Sequence, residues 1–151
     1  MDERTAQRAQ DTYRENQIQM ATREQLLLIT YDIGIRYCLA AEKAIQARDV
    51  EQINTNLQKA QAVIRELMIT LDVEKGGNVA DSLMKLYDYM YYQLVDANVK
   101  KKAPIVVAVR QMLEELKATW EEAIRSLKAE ATQKTAATQA VPVSGGTNFA
   151  Y

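Results

Sequence analysis

Two prolines and five glycines are all that punctuate the 151 residues of this chain. Proline removes a backbone donor and clashes with the preceding turn, and glycine adds to the entropy cost of ordering, so these residues mark where helices end. Before the Gly76-Gly77 pair the only breaker is Gly34, and the next proline is Pro104. A chain punctuated so sparsely is expected to form long helices.

Start signals divide it. Thr22 followed by Gln25 fits a capping box, and predicts a first long helix over 22–47. Asp49 followed by Gln52 repeats the signal for a second helix over 50–71. Gly76-Gly77 breaks the chain, and Asn78 can cap a third helix over 79–99, with Asp81 in a first turn that favours negative charge. Pro104 suits the first position of a fourth helix over 104–127. The first 20 residues are polar with Tyr13, Ile18 and Met20 as isolated apolar anchors, so 1–21 reads as a flexible N-terminal arm. Residues 129–151 are rich in Ala, Thr, Gln, Gly and Ser, contain Pro142 and lack periodicity, which reads as a disordered tail. The expected fold is all-α: an antiparallel up-down four-helix bundle over 22–128 with an arm and a tail.

The helix faces carry the functional information. The fourth helix repeats Ile105, Val109, Met112, Leu116, Trp120, Ala123 and Leu127 at spacings of three and four, widened by Val106, Leu113 and Ile124. The second has Ile53, Leu57, Ala60, Ile64, Leu67 and Leu71 on one face. The first carries two apolar stripes, one of Leu27, Gly34, Cys38, Ala41 and Ile45 and one of Leu28, Ile35 and Leu39. Either this helix packs on two neighbours, or its surplus apolar surface is covered by the arm or a partner. The third carries Tyr87, Tyr89, Tyr91 and Tyr92, which cannot share one face. They read either as core plus amphipathic rim or as a binding surface, since tyrosine gives large contact area at low entropy cost. Leu28, Ile35, Tyr89 and Tyr92 fall off the main stripes and are the candidates for a groove that binds a protein partner.

Several function classes are disfavoured. The net charge of -1 argues against a nucleic-acid or polybasic membrane binder. Lys100-Lys101-Lys102 has no interleaved aromatic and reads as a helix end facing solvent. No apolar run, Leu26–Ile29 included, approaches the roughly 18 residues that span a bilayer. Met1-Asp2-Glu3-Arg4 does not read as a secretory leader and there is no second cysteine to pair with Cys38, so the chain is expected in the cytoplasm without membrane insertion. Histidine is absent, which removes the commonest general base and zinc ligand, and no phosphate-binding loop motif occurs. Neither enzymatic activity nor a cofactor or metal is expected, and Asp32, Asp88 and Asp96 form no catalytic pair.

The segment Leu71-Asp72-Val73-Glu74-Lys75-Gly76-Gly77-Asn78-Val79-Ala80, followed by Leu86-Tyr87-Asp88-Tyr89-Met90 and then Ala97-Asn98, closely resembles the FliS family. Tyr13 and Asn16 resemble its N-terminal Y-x-x-N. Ala21-Thr22, Tyr31-Asp32, Asn56-Leu57, Glu66-Leu67 and Trp120 with Ala123-Ile124 match in order, over roughly 13–127. Where many members have proline after the Ser or Thr cap, this chain has Arg23-Glu24, which also suits a first helical turn. The resemblance implies an export chaperone that covers the C-terminal segment of flagellin, blocks its premature polymerisation and helps present it to the export gate of the flagellar type III secretion system. Such binding is coupled folding, with apolar helical faces laid into grooves. It also implicates the arm, with Tyr13, Ile18 and Met20, in masking apolar surface or in contact with an export-gate protein. The expected state is a monomer or weak homodimer. The alternative is a helical adaptor or regulator on the same scaffold with a different protein client.

Overall fold

The computed structural model describes residues 3–19, 21–137 and 151, the side chains of 17–19 and 136–137 excepted. Its helices are α1 (Glu3–Gln19), α2 (Arg23–Gln46), α3 (Val50–Thr70), α4 (Val73–Lys100) and α5 (Ala103–Ala137), and the described residues contain no strand. No helix among them is long and apolar enough to cross a membrane.

The first two start signals act as the sequence predicts. The Thr22 hydroxyl accepts from the Gln25 N–H at 3.2 Å while the Gln25 side chain accepts from the Thr22 N–H at 3.0 Å, a complete capping box. Asp49 accepts from the Gln52 N–H at 3.2 Å and caps α3. Between them α2 closes on Arg48 at φ 56. The Arg48 N–H donates to the Ile45 carbonyl at 3.1 Å and the Asp49 N–H to the Ala44 carbonyl at 3.0 Å, a Schellman motif built without glycine.

Three boundaries differ from expectation. First, α4 begins at Val73, six residues before the predicted start, because Asp72 accepts from the Lys75 N–H at 2.9 Å and caps an extra turn. Gly77 then bends the chain at φ 53, ψ -129, a conformation open to glycine alone among common residues, and the helix resumes. Second, the stretch read as an arm holds the 17-residue α1. Every α1 side chain from Glu3 to Asn16 is exposed, so this helix rests on the propensities of Glu, Arg, Gln and Ala and on pairs such as Gln7 to Asp11 at 3.1 Å. Third, the tail expected to be disordered over 129–151 continues α5 as far as Ala137, and its Tyr151 is buried; residues 138–150 lie outside the described set. No proline or glycine intervenes before Pro142, so Ala, Lys, Glu and Gln prolong the helix without an apolar stripe.

α2 packs on α3 and α5, and α4 packs on the same two. Cross-helix contacts step in opposite directions along two of these pairs. Asn54 meets Asn98 and Arg65 meets Tyr91 between α3 and α4, while Asp32 meets Lys117 and Glu42 meets Arg110 between α2 and α5. The core fills the centre. On α3, Ile53, Leu57, Ile64 and Leu67 are nearly solvent-free, each contributing ~1.5–3 kcal/mol by burial before entropy is subtracted. On α2, Leu27, Tyr31, Gly34, Cys38, Ala41 and Ala44 face inward. Gly34 lets α2 lie close to its neighbours: a methyl there would sit 3.1 Å from Val63 and 3.4 Å from Leu113. On α5 the buried line is Val106, Val109, Leu113, Trp120 and Ile124, with Ile105, Met112, Leu116 and Leu127 half-buried beside it. The residues that seemed to widen this stripe include its centre, because α5 must face α2 and α4 at once.

Candidate functional site

Four aromatic side chains meet at one level of the core. The Trp120 indole N–H donates to the Tyr31 hydroxyl at 3.0 Å, and the Tyr31 and Tyr87 hydroxyls are hydrogen-bonded to each other. Tyr151 completes the group: its hydroxyl lies 2.5 Å from that of Tyr87 and donates to the Leu67 carbonyl at 3.3 Å. Its ring stands edge-on to Trp120 with centroids 5.5 Å apart. One proton order satisfies every donor: Trp120 to Tyr31, Tyr31 to Tyr87, Tyr87 to Tyr151 and Tyr151 to Leu67. Burial raises the phenols of Tyr31, Tyr87 and Tyr151 far above their ordinary range, so all three stay neutral and serve packing. Burial first, and then the carboxylate of Glu42, pushes the Cys38 thiol up to about 12, so it is an inert core residue.

The outside is equipped differently. Leu28 and Ile35 are half-buried and share an α2 flank with Asp32, which is tied to Lys117 of α5 at 2.7 Å. Leu39 continues this flank and is 40% exposed. Arg110 holds Glu42 in two hydrogen bonds at 2.7 and 3.2 Å and also reaches Glu114 at 2.8 Å. The bonds to Glu42 and then Glu114 raise its pKa still further. The bond to Asp32 likewise raises Lys117. Tyr89 and Tyr92, 55% and 61% exposed, lie on the outer side of α4. Tyr92 packs edge-on against Tyr91, whose hydroxyl accepts from Arg65 of α3 at 2.7 Å. Spacings of three, four and three place Tyr89, Tyr92, Asp96 and Val99 in one stripe, with Val99 76% exposed.

The predicted groove residues therefore divide into two groups. Leu28 and Ile35 sit together beside α5, while Tyr89 and Tyr92 sit on α4, and α2 and α4 are not neighbours around the ring of helices described above. Tyr13 is 68% exposed on α1, near Arg36 of α2 in an open recess that also touches Ala9, Gln10 and Arg14. The Ile18 side chain and all of Met20 lie outside the described residues. Periodicity missed the hydroxyl network. Tyr31 falls within the Leu27–Ala41 stripe at a spacing of four, and Phe149 and Tyr151 are the only aromatics in a tail of small and polar residues. Those were the available signals.

The fold and these surfaces define a helical scaffold whose core is closed by neutral side chains and whose helices carry exposed aromatic and aliphatic groups. The chain belongs to the family of the flagellar protein FliS, whose family model matches residues 5–127. It is 34% identical to the flagellar secretion chaperone FliS of Bacillus subtilis (strain 168) over 114 residues, which cover 76% of this chain and 84% of that one. It is 32% identical to the protein of the same name from Campylobacter jejuni, covering 76% of this chain and 89% of that one. The corresponding figures for the Salmonella typhimurium protein are 30%, 72% and 81%.

Proposed function

We propose that this chain is a cytoplasmic, non-enzymatic export chaperone that binds the C-terminal segment of flagellin, prevents its premature polymerisation and assists its delivery to the flagellar export apparatus. The scaffold for this is read as an antiparallel up-down four-helix bundle over 22–128, supported by the opposed order of cross-helix contacts. It acts as a monomer or weak homodimer and needs no cofactor, nucleic acid or membrane insertion.

The observation that carries the reading is the α4 stripe of Tyr89, Tyr92 and Val99, all more than half exposed although the core beneath them is complete. Such residues add nothing to the core, and they suit the apolar face of an amphipathic client helix. Leu28 and Ile35 on the α2 flank form a second strip for the same client. The exposure of Tyr13 favours contact of α1 with an export-gate protein over masking of the empty surface.

Calorimetry with a flagellin C-terminal peptide tests this. Tyr89→Ser with Tyr92→Ser is expected to weaken binding at least about tenfold, since two well-packed aromatic contacts at an interface exceed ~1.4 kcal/mol. Full affinity in that double variant would reject the α4 surface, and no binding by the unaltered chain would reject the function.

A further inference from the structure

We propose that the bundle contains a binding pocket for a tyrosine side chain, and that Tyr151 is its tethered ligand. The pocket walls come from four helices: Leu27 of α2, Leu67 of α3, Tyr87 of α4, and Trp120 and Ile124 of α5. All of these lie within residues 5–127, the span shared with the family, whereas the ring that fills the pocket lies outside it.

The pocket is also not a sealed part of the core. Tyr151 lines two clefts. One, of about 400 Å³, opens between Leu26, Thr30 and Glu66, and the other, of about 330 Å³, between Glu24, Lys75 and Leu127. A ring held between two open clefts can leave without unpacking a helix. The reach is sufficient: the fourteen residues from Ala137 to Tyr151 span up to ~46 Å, against ~26 Å from Ala137 back to Trp120 along α5.

The chemistry selects a phenol. The floor offers the Tyr87 hydroxyl and the Leu67 carbonyl, which sits in the last turn of α3 where helical partners run out. A tyrosine hydroxyl satisfies both, one as acceptor and one as donor. A phenylalanine fills the same volume but gives the Tyr87 proton no acceptor, and it leaves the Leu67 carbonyl only the Thr70 hydroxyl at 3.5 Å. Trp120 supplies an edge-on aromatic wall for either ring.

Trp120 is the only tryptophan, so its fluorescence reports occupancy directly. In the full-length Tyr151→Ser variant, acrylamide quenching of Trp120 is expected to rise at least about twofold while helix content by circular dichroism is unchanged. An added peptide of residues 144–151 should restore the wild-type signal saturably. The same peptide with phenylalanine at its last position, Phe149 retained, should bind at least about tenfold more weakly, the cost of leaving a buried polar partner unmatched. The unaltered chain should ignore the tyrosine peptide below millimolar concentration, because tethering gives Tyr151 an effective concentration on the order of mM. Wild-type quenching in a folded Tyr151→Ser variant, or equal binding of the two peptides, overturns the proposal. Should Tyr151→Ser unfold, Tyr151→Phe keeps the ring volume: quenching above wild type supports a phenol-specific pocket, and wild-type quenching overturns it.

Discussion

Tyr87 and Tyr89 are two residues apart on α4 and have opposite fates. Tyr87 is fully buried, bonded through its hydroxyl to Tyr31 and close to Tyr151, while Tyr89 is 55% exposed. The same division separates Tyr91, held by Arg65 and half-buried, from Tyr92, 61% exposed. Successive positions on a helix turn by 100°, so neighbouring tyrosines face different environments. What the difference teaches is that one residue type serves two purposes here. Inside, the hydroxyl closes a polar network that would otherwise cost stability. Outside, the ring offers contact area whose polar tip tolerates water.

The widest gap between the two sets should open at alkaline pH. The buried phenols of Tyr31, Tyr87 and Tyr151 are raised when folded, so they remain protonated where the unfolded chain has begun to release protons. Their stabilisation is intact below the unfolded pKa of about 10 and is lost as pH rises above it, at up to ~1.4 kcal/mol per pH unit for each phenol. Cys38 acts in the same direction from a lower starting pH, since its thiol is pushed up to about 12. Urea midpoints measured from pH 8 to 11 should therefore fall steeply above about pH 10. A flat profile would mean that the network is open to water.

Tyr87→Ala comes next. It removes a fully buried ring and leaves the Tyr31 proton without the acceptor that Tyr87 provides, with an expected loss of ~3–5 kcal/mol and a melting temperature lower by about 10 °C. Calorimetric melting checks this, and a loss below about 1 kcal/mol would contradict the packing described. The smallest stability effect belongs to Tyr92→Ser, expected within ~0.5 kcal/mol of the unaltered chain, although the same change is expected to weaken flagellin binding. Destabilisation equal to that of Tyr87→Ala would erase the distinction between the two faces.

Much of the architecture was legible because it depends on short-range rules. The Thr22–Gln25 and Asp49–Gln52 caps form as spaced, and the α3 stripe from Ile53 to Leu71 is buried throughout. The start of α4 was less legible because two cap signals compete there, and Asp72 adds a turn before Gly77 bends the chain. The candidate surface was legible only residue by residue. Periodicity identified Tyr89 and Tyr92 as off-core, and they are exposed, but it could not show that Leu28 and Ile35 lie beside α5 while the two tyrosines lie on α4.

By itself, then, the sequence determined the helical class, the caps and the inward face of α3, since each follows from neighbours within a turn or two of one another. Tertiary structure alone decided that Tyr31, Tyr87, Trp120 and Tyr151 share one hydroxyl network, and that two apolar strips lie on different sides of the molecule. Those contacts join residues 56 to 89 positions apart in the chain. Periodicity fixes the angle of a side chain around its own helix, but which hydroxyls meet depends on the rotation and height of each helix against its neighbours, and those are set by packing the whole core at once.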